Sequence, residues 1–223
     1  MSSLTNLIDN NIQSLQLSDT IQHALDMLME QGMMHLPVIN QDNNEFITLI
    51  SESYLLDAES DELTINDLIA LPRVQGLLLN AHPYDALKIM SQEKWQLVPI
   101  VDADNHYLGV VSQSNMIQYV AENGGWLESG GIIVFEIKPG SYSLSEIARI
   151  CEGEGVIIYN SRVYFNPDTS MLEVTIKTNK SYLQNLVATF ERFDYVIKEV
   201  YGKMPMEDEM RDRYKLLMNY LDM

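Results

Sequence analysis

The chain has 223 residues, a formal net charge of −18 and 46% hydrophobic residues. That length allows one large domain or two small ones, each with a real core. The charge repels nucleic acid and anionic membrane, and no run of about 18 apolar residues is available to span a bilayer.

From the N-terminus, Met1-Ser2-Ser3-Leu4-Thr5-Asn6 lacks the basic and apolar regions of a signal peptide. Asp19 or Ser18 is expected to cap a helix with an apolar stripe of Ile21, Leu25, Leu28 and Met29, ended by Gly32. Leu36 to Ile39 reads as a strand, Gln41-Asp42-Asn43-Asn44 as a turn, and Phe46 to Ile50 as a second strand, with a helix starting near Ser51 or Ser53. The acidic strip Asp57 to Glu62 reads as a solvated linker. The pattern then recurs: a helix from Pro83, a strand over 97–101, a turn Asp102-Ala103-Asp104-Asn105, a strand over 107–111 and a helix from about Ser114 to Ala121.

The recurrence is a repeat. A shift of 62 positions lays residues 17–56 on 79–118 without a gap, so that Leu17, Ala24, Leu25, Pro37 and Asn43 meet Leu79, Ala86, Leu87, Pro99 and Asn105. Two copies of one strand-helix-strand-strand-helix unit imply two halves about a pseudo-two-fold axis, with clefts between them.

Asn123 to Gly131 holds four glycines in nine residues and marks a boundary. Trp126 within it is expected to anchor the linker on a neighbouring surface. Beyond it, strand 132–137, helix 144–151, strand 155–165, strand 171–178, helix 182–193 and strand 195–201 follow in the order βαββαβ. That order makes a four-stranded antiparallel sheet with two helices on one face, a ferredoxin-like fold. Met206, Met210, Tyr214, Leu217 and Leu221 form an apolar stripe on a final helix. The expected fold class is α+β. Its divisions are repeat 1 over 1–60, repeat 2 over 61–122, a linker over 123–131, the βαββαβ domain over 132–203 and an amphipathic helix over 204–223.

Cys151, the single cysteine, excludes an internal disulfide, makes the cytoplasm the simplest compartment and reads as a small core residue. His23, His35, His82 and His106 lack the spacing of metal ligands. Asp102-x-Asp104 begins like a calcium loop, but its twelfth position is Gln113, so it reads as a turn. No nucleophile elbow, P-loop or paired Cys and His is present, so an enzyme is not expected.

Three segments carry a resemblance: His35-Leu36-Pro37-Val38-Ile39, Leu97-Val98-Pro99-Ile100-Val101-Asp102 and Tyr107-Leu108-Gly109-Val110-Val111-Ser112-Gln113-Ser114-Asn115. Over roughly residues 5–122 the chain resembles the CBS domain pair, named after cystathionine β-synthase. With Lys138-Pro139-Gly140 between strand and helix, residues 131–201 resemble an ACT-type regulatory domain. The order CBS, CBS, ACT is similar to that of the acetoin-utilisation regulatory proteins. The resemblance implies a regulatory module that often forms homodimers and binds AMP, ADP, ATP or an S-adenosyl compound as a regulatory ligand. The regulated protein partner stays unknown, and some ACT domains bind amino acids.

The family signature is Gly-x-x-Ser/Thr-x-x-Asp. In the second copy it falls on Gly109, Ser112 and Asn115, the asparagine offering one carbonyl oxygen where the family has a charged acid. In the first copy the ungapped register places Ile47, Ile50 and Ser53 there, with Ser51 available only after a one-residue shift. The candidate ligand residues are therefore Ser112, Asn115, Gly109, Pro99 and Ile100, with His35, Pro37 and Val38 from the first copy. Ser112 and Asn115 could equally be a helix cap, and His35 an ordinary hydrogen-bonded or surface histidine. The alternative function is a scaffold that dimerises without ligand.

Overall fold

The computed structural model describes residues 4–68, 70–203 and 218. The chain divides into two compact units, residues 1–120 and 121–223. The proposed helix over 204–223 lies outside the described residues, apart from Met218.

The first unit opens with a 3-10 turn, Leu4–Leu7, and a short strand β1, Ile8–Asp9. Its first repeat is β2 (Leu15–Gln16), α1 (Ile21–Gln31), β3 (His35–Ile39), β4 (Phe46–Ser51) and α2 (Glu52–Leu56). Its second is β5 (Leu77–Leu78), α3 (Pro83–Glu93), β6 (Leu97–Val101), β7 (Tyr107–Ser112) and α4 (Gln113–Asn123). The sheets run β2-β3-β4 and β1-β7-β6-β5, so β1, at the start of the chain, completes the sheet of the second repeat. Ile8 pairs with Val111 and Asp9 with Val110.

The cap of α1 is Thr20, not Asp19 or Ser18. The Asp19 carboxylate is already used one turn back, accepting Gln16 N–H at 2.8 Å, so the Thr20 hydroxyl takes His23 N–H instead. Ile21, Ala24 and Leu28 point inward, and Gly32 at φ 63 closes the helix by donating to Leu28 and Met29 carbonyls. In α3, Pro83 stands at the first turn and His82 caps it, with Nδ1 accepting Tyr84 N–H. Pro37 and Pro99 sit in central strands, which normally exclude proline. Here β2 and β5 are only two residues long and pair from Val38 and Ile100 onward, so neither proline is asked for a donor.

Each repeat has its own core, Leu15, Ile21, Leu28, Val38 and Ile50 in one and Leu4, Ala86, Met90, Ile100 and Val111 in the other. A third layer of Phe46, Leu49, Leu97, Val101 and Val110 joins the halves. At one end of that junction the halves exchange hydrogen bonds reciprocally. Phe46 N donates to Asn105 O and Tyr107 N to Asn44 O. Asn105 Nδ2 donates to Phe46 O and Asn44 Nδ2 to Tyr107 O, both at 2.9 Å. The two asparagines are left-handed, at φ 56 and 66, and the Phe46 and Tyr107 rings stack at 6.5 Å.

This exchange fixes the true register of the repeat. β3 and β6 lie 62 positions apart, but β4 and β7 lie 61 apart, because the first turn (40–45) has one residue more than the second (102–106). Thr48 therefore matches Gly109, Ser51 matches Ser112 and Tyr54 matches Asn115, and the positions Ile47, Ile50 and Ser53 given by the ungapped comparison are corrected. In a strand a one-residue slip reverses every side chain, so Ile50 is a core residue and not a ligand group.

The second unit is β8 (Ile132–Ile137), α5 (Leu144–Gly153), β9 (Ile158–Asn166), β10 (Met171–Thr178), α6 (Gln184–Arg192) and β11 (Val196–Tyr201). The sheet order is β11-β8-β10-β9 with every pairing antiparallel, the ferredoxin-like arrangement. Both helices cover one face: Ile147, Ile150 and Cys151 from α5 and Leu186 and Phe190 from α6 pack on Ile133, Phe135, Val174 and Ile176. Cys151 is a core residue, its thiol pushed up to about 11 by burial and the nearby Glu152. On the other face Glu173 bridges Lys198 at 2.7 Å and Arg162 at 3.9 Å. Strand β9 starts at Ile158 and not at 155, because α5 runs to Gly153 and Gly155, at φ 61, lies in the turn that leaves the helix. Trp126 remains 41% exposed.

Candidate functional site

The end of β7 and the start of α4 bring together three of the sequence-derived residues. Gly109 is at φ 134, and a Cβ there would lie 2.5 Å from Ile8 Cγ2, so β1 approaches β7 closely only because this position is glycine. Ser112 is buried and caps the first turn of α4, accepting Asn115 N–H at 3.3 Å. Its hydroxyl donates to Asp9 Oδ2 at 3.0 Å and lies 2.8 Å from Ser114 Oγ. Asn115, half-buried, donates Nδ2 to Leu7 O at 3.1 Å.

The first half repeats this arrangement with other residues. Ser51 caps α2 by accepting Tyr54 N–H at 3.2 Å and lies 3.0 Å from Ser53 Oγ. The Tyr54 hydroxyl donates to Ala70 O, and Thr48 Oγ1 donates to Pro72 O at 2.6 Å. In each half, the residue at the last signature position thus bonds to a carbonyl of the segment that leads into a repeat. Met34 N–H donates to Gln96 Oε1 at 2.7 Å, and Gln113 N–H donates to Gln96 O, which ties the beginnings of β3 and β6 to one another and to α4.

The remaining candidates are placed elsewhere. Val38 and Ile100 are fully buried, each in the core of its own repeat, and Pro37 and Pro99 are buried strand residues paired with Leu49 and Val110. Their side chains pack the fold. His35 stands opposite Ser51 in the first half, its ring 6.4 Å from Trp95. Leu7 and Asp9 carry no local signal of this role, since they come from 103 or more positions away. Ser51 was within reach of a count of turn lengths.

His35 Nδ1 is buried without a hydrogen-bond partner, and burial holds the imidazole below its ordinary pKa of 6.5. Below pH 6.5 the unfolded chain takes up a proton that the folded chain resists, so this residue subtracts stability as pH falls through 6.5 toward the lowered folded value. Position 97 in the second repeat, the counterpart of His35, is leucine. The His35→Leu variant is expected to gain about 1 kcal/mol at pH 8, by removing an unsatisfied polar atom. Its advantage over the parent should widen between pH 6.5 and 5, as read by thermal melts across that range.

The Asp102, Asp104 and His106 side chains converge within 4.8 Å. They form a turn: Asp102 Oδ1 accepts the N–H groups of Asp104 and His106, and Oδ2 meets His106 Nδ1 at 3.0 Å. The backbone and ring bonds from His106 hold the Asp102 carboxyl below its usual range, and the Asp102 bond raises His106.

Comparison with known proteins matches these two segments. The CBS domain family model fits residues 4–61 and 77–122. Both halves of the N-terminal unit thus match the CBS domain family, in the manner of a CBS domain pair. Among curated proteins, the chloroplastic CBS domain-containing protein CBSX2 of Arabidopsis thaliana is 25% identical over 139 residues, 48% of this chain. The chain spans 58% of that relative's length. Among solved structures, a CBS domain pair/ACT domain protein from Thermotoga maritima is 16% identical with a TM-score of 0.49, covering 54% of this chain and 98% of that one. CBSX2 in complex with AMP is 22% identical with a TM-score of 0.46, covering 55% and 98%. The two repeats present cap-and-strand sites of the same design, sharing the capping serine (Ser51, Ser112) and differing at the first and last signature positions. Among the described residues no helix is long and apolar enough to cross a membrane.

Proposed function

We propose that the CBS pair senses a regulatory ligand containing adenosine, held at the β7–α4 end beside Ser112 and Asn115. The observation that carries this reading is the convergence of Gly109, Ser112 and half-buried Asn115 at one strand end, with Asn115 Nδ2 committed to Leu7 and only Oδ1 left to accept from a ribose hydroxyl. The family match and the AMP complex of a relative make adenine nucleotides and S-adenosyl compounds the first ligands to try. Binding favours one arrangement of the pair, and the glycine-rich segment passes that bias to the C-terminal unit. We take that unit as ACT-like. It holds a cavity of about 440 Å³ lined by Lys138, Ser141, Glu146, Phe193 and Tyr195, so amino acids belong in the same screen. The protein acts as a cytoplasmic, non-enzymatic homodimer. Exposed Met29 and Ile117 on the first unit, and Tyr164, Phe165 and Val196 on the edge strands of the second, are the apolar groups such an assembly would cover.

The test is a thermal-shift screen with adenosine, AMP, ATP, S-adenosylmethionine and amino acids. A ligand at a hundred times its dissociation constant stabilises the folded state by about 2.7 kcal/mol. That shift is expected with an adenosine compound, and Asn115→Ala should remove it. Asn115→Asp, which restores a charged acceptor, should raise the affinity about tenfold. A shift that survives Asn115→Ala would place the ligand elsewhere.

A second reading rests on the same bonds. Ser112, Asn115 and Tyr54 all have partners within the chain, so both sites are satisfied without ligand. The pair would then be a scaffold for dimerisation. A dimer by analytical ultracentrifugation together with no shift from any compound is the outcome that favours it.

A further inference from the structure

We infer that the ligand at the second-half site carries no phosphate: the site takes a nucleoside whose 5′ substituent is uncharged or cationic, and Asp9 is the residue that enforces this. The inference rests on the proposed adenosine site and adds the ligand's charge.

Three observations carry it. The first is where Asp9 sits. Oδ2 accepts the Ser112 hydroxyl at 3.0 Å, while Oδ1 accepts both Asn11 N–H and Asn11 Nδ2 at 3.1 and 3.2 Å. Both oxygens are held, so the negative charge is fixed beside the cap of α4. A helix start attracts an anion, and here the chain supplies that anion itself. A phosphate brought to Ser112 would meet a carboxylate that cannot turn away.

The second is the contrast with the first half. Leu7 and Ala70 are matched carbonyls, accepting Asn115 and the Tyr54 hydroxyl respectively. Counting on from each, Asp9 corresponds to Pro72, and Asn10 to Arg73. The segment beside the first-half site therefore has an uncharged proline at the position of Asp9, with the cation Arg73 one residue further on, although the two sites share one backbone design.

The third is the surrounding field. Residues 1–120 contain three lysines and arginines, Arg73, Lys88 and Lys94, against sixteen aspartates and glutamates. Such an excess disfavours the approach of a polyanion and favours a cation.

The experiment is titration calorimetry of the full chain with adenosine, 5′-methylthioadenosine, S-adenosylmethionine and AMP, on the parent, Asp9→Asn and Asn115→Ala. Asp9→Asn keeps an acceptor for Ser112 and removes the charge, and its melting temperature reports whether β1 stays docked. AMP is expected to bind the parent at least about tenfold more weakly than adenosine, and Asp9→Asn should close that gap by about tenfold while changing adenosine affinity little. S-adenosylmethionine should lose affinity in Asp9→Asn, and Asn115→Ala should weaken all the compounds bound at this site. AMP binding as tightly as adenosine in the parent, or a gap that Asp9→Asn leaves unchanged, overturns the inference and leaves the adenosine site standing. Binding of none of the four overturns the site and the inference together.

Discussion

The double variant Asn44→Ala/Asn105→Ala is expected to lose about 3 to 4 kcal/mol of stability in the first unit. Each asparagine contributes in two ways. Its Nδ2 donates across the junction to a carbonyl of the opposite repeat, a bond worth about 1 kcal/mol net. Its backbone is left-handed, a conformation asparagine tolerates and alanine resists by roughly 1 kcal/mol. The two sites touch through Phe46 and Tyr107, so their losses should not simply add. Glycine separates the causes: Asn44→Gly/Asn105→Gly keeps the left-handed turn and removes only the side-chain bonds, so it should recover about half of the loss. Denaturant melts of the three proteins decide the matter. Equal melting of the alanine and glycine variants would mean that the turn conformation contributes nothing. No loss in either would mean that the third apolar layer alone holds the halves.

Phe190→Ala is expected to cost about 3 to 5 kcal/mol, the range for emptying a large aromatic site in a closed core. Phe190 is fully buried, its ring 4.7 Å from Phe135 and 5.4 Å from Tyr195, while Phe135 and Tyr195 lie 5.6 Å apart. The three rings meet edge to face, an arrangement that adds to the burial energy. They join α6 to β8 and to the residue before β11. The Tyr195 hydroxyl also donates to Glu146 of α5 at 2.9 Å, and burial with that acceptor pushes the phenol up to about 12. Losing one ring therefore loosens both helices from the sheet. Hydrogen exchange should show protection falling across 132–201 while β3, β4, β6 and β7 keep theirs. A loss confined to α6 would mean that the cluster is not shared.

Much of this architecture is legible in the sequence because its elements are set by local chemistry. The stripe of α1, the glycine that ends it, the proline at the start of α3 and the inward alternation of Val174 and Ile176 each reflect one period or one special residue. The repeat exposed the symmetry of the first unit. Where the reading failed, the cause was not local. Thr20 caps α1 only because Asp19 is drawn to Gln16, a competition between neighbouring acceptors that propensity does not resolve. The ungapped match followed Asn43 onto Asn105, whereas the reciprocal bonds pair Asn44 with Asn105, so the signature of the first half fell on the wrong strand face. At the candidate site, Ser112, Gly109 and Asn115 were visible, being close together in the chain. Asp9 was not, because nothing within β7 or α4 says which distant segment will lie beside them.

Strand β1 gives the chain an unusual order of assembly. Ribosomal synthesis delivers the N-terminus first, and domains generally fold as they emerge. Yet Leu4, Ile8 and Asp9 have no place to go until β7 exists: Leu4 belongs to the second repeat's core, Ile8 pairs with Val111, and Asp9 meets Ser112 across 103 positions. The first repeat can close on its own core while its leading residues wait. Residues made before the rest of this unit are thus among the last to be seated in it, and a nascent chain stalled before residue 107 would hold a finished first half with an unclaimed β1.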